Sequence, residues 1–238
     1  MDSNYPFHSL ISALESNDVN AVKELLNLRG SLVGPGNSID LDMDYGVYRA
    51  AVSNGSLEVL HLVVSNDRRV VPHLLNSVAK QGRVDVIERI AVLSPGCLDQ
   101  LTLDRMVFYA VIGNQMCSLE YLLTKGASIN QVPEAACHAG NTHLLFSALN
   151  EGAETPSDYC LSEALYHCIQ QGDEQSAVKL AEMCEDPYQH CMTEDDPETM
   201  MMLMNFKPIG TKHSLIESAL HSGCRDIQRF LMMLDPKL

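Results

Sequence analysis

One spacing recurs along the whole chain and constrains it more than any single motif. A small or apolar residue is followed four positions later by a residue suited to a tight turn. An apolar pair then comes eight or nine positions past that turn. The small and turn positions are Ala13 with Asn17, Ala51 with Gly55, Val78 with Gly82, Ala110 with Asn114, Ala136 with Gly140, Cys168 with Gly172, and Ala219 with Gly223. The wide gap before the last copy holds another, Cys191 with Asp195, followed by Leu203-Met204. Eight units result, with turns spaced 23 to 38 residues apart. A period in this range is the mark of a repeat array.

The physical reading is a short helix, a turn and a second helix in each unit. Gly or Asn at the turn supplies a left-handed residue between the helices. The small position lets neighbouring helices approach closely. The second helices place apolar residues three and four apart, as in Val59-Leu60-Val63-Val64 and Val86-Ile87-Ile90. One such pair cannot bury its own apolar face, but a stack can, through contacts between neighbours.

Several segments carry a family likeness. Leu122-Leu123-Thr124-Lys125-Gly126-Ala127-Ser128-Ile129-Asn130 resembles the LLxxGAxxN ending of an ankyrin repeat, and Leu149-Asn150-Glu151-Gly152-Ala153 echoes it. Ala50-Ala51-Val52-Ser53-Asn54-Gly55-Ser56-Leu57-Glu58-Val59 resembles the family's segment leading into the second helix. The resemblance implies an all-α helical-repeat solenoid of about eight degenerate ankyrin-like units, forming one domain over residues 1–238. The family's TPLH tetrapeptide is missing from every copy, and most intervals fall short of the standard 33 residues. Shortened hairpins are therefore expected. The first interval is longer and predicts a loop over 29–46, around Gly34-Pro35-Gly36. The most degenerate unit spans 187–208. A tetratricopeptide-like solenoid is the alternative architecture.

Charge limits the choice of partner. The 238 residues carry 16 basic and 31 acidic side chains, a net −15. Nucleic acid and anionic membrane both need a basic face, so neither is an expected ligand. Thirteen of the acids lie between 151 and 200, where Lys179 is the lone base. This segment suggests a docking surface for a protein with a basic face, or a solubilising one. Residues 1–6 have neither a basic n-region nor an apolar h-region, and no stretch reaches the roughly 18 apolar residues of a membrane helix. A monomer in the cytosol is expected, or in host cytosol if the chain is a secreted effector. Degenerate ankyrin arrays of that kind occur in effectors of intracellular bacteria and in viral host-range proteins.

Eight Cys and nine His invite a chemical reading. Zinc sites favour short paired spacings, and Cys160, His167, Cys168, Cys184, His190 and Cys191 follow none. Cys168 and Cys191 fall on the small buried position, where Cys serves as a small apolar residue. No metal, cofactor or catalytic residue is expected, and Gly-rich phosphate or dinucleotide loops are absent. Tyr109, His138, His167, His190 and His221 lie beside the small positions of successive first helices. In an ankyrin-like stack that side faces the concave groove, where solenoids bind. Glu163, Asp173 and Glu174 add an acidic rim. The expected function is a non-catalytic protein–protein interaction scaffold. The alternatives are a thiol hydrolase built on Cys160 or Cys184 with a nearby His, and a regulatory subunit of a larger assembly.

Overall fold

A computed structural model describes residues 5–32, 49–53, 56–66, 70–206, 219 and 221–234 of the chain. The described residues form helices, and no strand occurs among them. The chain divides into two compact units, Met1–Gln131 and Val132–Leu238. In the first lie α1 (Tyr5–Glu15), α2 (Val19–Leu32), α3 (Leu57–Asn66), α4 (Val71–Gln81), α5 (Val84–Leu93), α6 (Gln100–Ile112) and α7 (Met116–Thr124). The second holds α8 (Gln131–His138, whose first residue closes the first unit), α9 (Thr142–Asn150), α10 (Asp158–Gln171), α11 (Glu174–Met183), α12 (Gln189–Glu194), α13 (Pro197–Phe206) and α14 (Arg225–Leu234).

The turns keep the sequence register. Asn17, Gly82, Asn114, Gly140, Gly172, Asp195 and Gly223 all have φ between 51° and 75°. Gly55, the remaining turn position, lies outside the described residues. In each of the seven, the N–H of the residue after the turn donates to the carbonyl of the small position five residues earlier. These bonds are Asp18 to Ala13, Arg83 to Val78, Gln115 to Ala110, Asn141 to Ala136, Asp173 to Cys168, Asp196 to Cys191 and Cys224 to Ala219, at 2.8–3.2 Å. This is the left-handed helix ending that satisfies an otherwise orphaned carbonyl. The small side chains are all buried, Ala51 included. In the seven copies whose turn is described, one residue therefore does two jobs: its side chain packs in the interior and its carbonyl closes the helix.

Helix contacts run between neighbours. In the first unit α1 packs on α2, α4 on α5 and α6 on α7, each within one helix pair. Between pairs, α4 meets α6, while α2 meets α3, α3 meets α5 and α5 meets α7. α4 and the end of α6 come close at Gly113, where an added Cβ would overlap the carbonyl oxygen of Lys80. In the second unit α10 packs on α11 and α12 on α13, α10 also meets α12 and α13, and α13 meets α14.

The second helices that carry the LLxxGA endings stop in the same way. Gly126 and Gly152 have φ of 98° and 95°, and the N–H groups of Ala127 and Ala153 donate to Leu122 and Ala148. A short non-strand connection leads from Ala127 to α8. It is pinned by the Ser128 N–H on Asp104 Oδ1 at 2.7 Å and the Gln100 amide on the Gly126 carbonyl.

Of the loop expected over 29–46, residues 29–32 belong to α2, which continues through Leu32 past Gly30, and the rest of that segment lies outside the described residues. The degenerate unit at 187–208 does contain a helix pair, α12 and α13. Met200 and Leu203 are buried in it, and Met201 is exposed. Its final two residues lie outside the described residues.

Candidate functional site

The second unit gathers most of the residues singled out in the sequence. Helix α10 is the central element. Ser157 caps its start by accepting the Cys160 N–H at 3.4 Å, and Gly172 ends it. Tyr159, Glu163, Tyr166 and His167 are spaced three, four and seven residues along α10, so they share one side of it. Each is half-buried.

Helix α8 brings His138 to this side. Its Nδ1 lies 2.5 Å from Glu163 Oε2, an ion pair when the imidazole is protonated. Helix α12 brings His190, whose ring centroid lies 5.4 Å from Tyr159 and 5.8 Å from Tyr166. Tyr166 also meets His167 at 5.7 Å. Tilted rings at these separations attract beyond simple area burial. The His190 N–H donates to Ser162 Oγ at 2.9 Å, which locks α12 onto α10. Its ring Nδ1 is buried with no hydrogen-bond partner among the described residues. Gly140 lies against the His167 ring, which a Cβ there would meet at 3.2 Å.

The remaining candidates are Tyr109, His221, Glu174 and Asp173. Tyr109 belongs to the first unit, where it meets Phe108 edge-on. His221 is exposed near the C-terminal turn. Glu174 is exposed in the first turn of α11. Asp173 caps α11, accepting the Ser176 N–H at 3.1 Å, and its carboxyl is held below the usual range by the Ser176 hydroxyl and N–H.

The acidic segment splits by residue type, a division that composition alone concealed. Its aspartates bind backbone. Asp158 accepts the N–H groups of Glu185 and Asp186, Asp186 that of Tyr188, and Asp195 those of Asp226 and Ile227. Asp196 caps α13 through Glu198 and Thr199. The short Asp arm suits such capping. Glu151, Glu154, Glu174, Glu182, Glu185, Glu194 and Glu198 stay exposed and form the solvated charge.

The cysteines are unpaired with one another, and six of the eight are buried. Burial pushes the Cys168 thiol up to about 11 and the Cys191 thiol up to about 12. Cys184 donates to the Asp158 carbonyl at 3.7 Å. A cluster that sequence spacing did not reveal sits where α8 meets the start of α10. The ligand atoms of Glu134, His138 and Cys160 lie within 4.8 Å of one another. Its trace in the sequence is the four-residue step from Glu134 to His138, one helical turn. The third member is remote in sequence, so spacing could not supply it. No protein-family model matches the chain, and no curated protein matches it.

Proposed function

We propose that the chain is a non-catalytic interaction scaffold of divergent ankyrin-like helix pairs, binding a protein partner through the face built by α8, α10 and α12. The observation that carries this reading is the ring row Tyr159, His190, Tyr166 and His167, half-buried and braced by backbone and carboxylate contacts. Rigid amphipathic rings lose little entropy on binding and serve well as anchors. Glu194, which accepts from Tyr159, and the other exposed glutamates of residues 151–200 suit a partner with a basic surface and would speed encounter with it. Action inside a host cell, as an effector, is the setting the ankyrin likeness implies.

The test is capture from eukaryotic lysate, followed by affinity measurement with a triple variant, His138→Ala, His167→Ala and His190→Ala. Loss of about tenfold or more in affinity with the helical signal retained supports the reading. Unaltered affinity with an intact fold refutes it.

The enzyme alternative has one observation in its favour. Cys160, His138 and Glu163 follow the order of nucleophile, base and orienting group. Against it, Cys160 is only 4% exposed, and burial pushes its thiol up, away from the reactive thiolate.

A further inference from the structure

The cluster at the junction of α8 and α10 is unlike its surroundings. Glu134 and His138 stand one turn apart on α8, and Cys160 sits in the first turn of α10. Three different donor types converge there: a carboxylate oxygen, an imidazole nitrogen and a sulfur. A second carboxylate, Glu163, sits behind the imidazole, its Oε2 buried and touching His138 Nδ1. Ser157 Oγ lies 3.3 Å from the Cys160 sulfur.

The Glu134 carboxylate and the Cys160 thiol converge on a single imidazole, and a second carboxylate, Glu163, contacts that ring at Nδ1. A divalent ion at the centre would engage the three donors at once. The donor set also selects the ion. Calcium and magnesium take oxygen shells, whereas a mixed oxygen, nitrogen and sulfur set suits zinc and its late first-row neighbours.

We propose that Glu134, His138 and Cys160 bind a zinc-class divalent ion, with Glu163 as the positioning carboxylate of His138. Ligands at zinc bond lengths stand about 3.5 Å apart in a tetrahedron, so the donors close inward slightly on binding. Glu134 is exposed and free to swing, while Glu163 holds the imidazole ring in place from behind. A carboxylate behind a ligating histidine is the usual outer-shell arrangement. Three protein ligands leave the fourth position to water, on the solvent side next to Glu134. The ion would tie the end of α8 to the start of α10. The site shares His138 with the proposed partner-binding face, but a metal staple can exist whether or not a partner docks there.

The experiment uses the full chain stripped with a chelator and titrated with Co²⁺, then with Zn²⁺ against a chromophoric competitor. Saturation at a single equivalent, with a thiolate-to-cobalt charge-transfer band, is the expected result. Cys160→Ser should abolish the band. Replacing the two thiols that are not buried, Cys97→Ser with Cys117→Ser, should leave it. Glu163→Gln should weaken Zn²⁺ binding by about 10–100-fold while keeping the band. Should Cys160→Ser fail to fold, the exposed Glu134→Gln decides the matter: a loss of about tenfold or more supports the site, and unchanged affinity overturns it. No charge-transfer band in the unsubstituted chain overturns it too, as does alkylation of Cys160 at a rate Zn²⁺ does not slow.

Discussion

Residue identity decides less in this chain than residue position. At the small position, Ala, Val and Cys are interchangeable, and all are buried there. That much was legible in the sequence, since Cys168 and Cys191 fall where other copies hold Ala. The division between aspartates and glutamates was not legible. Both count as −1, and only the backbone reveals which carboxylates accept N–H groups. The thiols should react in order of exposure. Alkylation at pH 8 should mark Cys117 first, since it is exposed, and spare Cys191 until the chain unfolds; peptide mass spectrometry reads this order.

The capping aspartates should govern the response to acid. Burial pushes Asp196 up, but the Thr199 hydroxyl and the Thr199 and Glu198 N–H groups more than offset it, so its folded value is lowered. Asp99 is lowered as well, by the Thr102 N–H and hydroxyl. A lowered carboxylate stabilises the fold fully above its unfolded value, about 3.9, and that contribution is lost as pH falls through the folded value. Melting temperature should therefore drop as pH descends through about 4 and below. Asp196→Ala should cost about 1 kcal/mol at neutral pH, roughly 2–4 °C in melting temperature, and should flatten the acid limb.

At the scale of helices and turns, two glycines separate two causes of the same preference. Gly172 has φ of 72° and nothing within 4 Å of an added Cβ, so its requirement is purely conformational. Gly113 has an ordinary φ of −79°, but a Cβ would strike the Lys80 backbone. Gly172→Ala should cost about 1–2 kcal/mol, the left-handed penalty alone. Gly113→Ala should cost more and should part α4 from α6, lowering amide protection in both. Denaturant melts of the two variants, with hydrogen exchange to localise the damage, check the ranking. The turn role of Gly172 was readable from its interval. That of Gly113 was not, because only tertiary packing places Lys80 beside it.

For the molecule as a whole, apolar residues are buried between packed helices within each of its two units, so damage should stay local. Hydrogen exchange on Gly113→Ala should show lost protection in α4 to α7 and little change in α10 to α13. A uniform loss over the chain would contradict nearest-neighbour coupling. Association with a basic partner should slow as salt rises, because the acidic side chains of residues 151–200 supply the steering field and salt screens it. Stopped-flow rates at two ionic strengths would show it. The site was half-readable. The histidines announced themselves by falling beside the small positions, while Tyr159 and Tyr166, which bind them into a row, became visible only once α10 and α12 were packed.

The seven helix endings have a last consequence. Each demands only the sign of one backbone angle and room for one small side chain. Asn, Gly and Asp meet the first demand, and Ala, Val and Cys meet the second. A lineage under such rules can exchange nearly every letter and keep its metre, like verse that survives translation by stress and not by rhyme. Kinship scored by shared letters fades in such a chain long before the architecture does. Its relatives are best sought by the interval between a buried small residue and the left-handed one four places on.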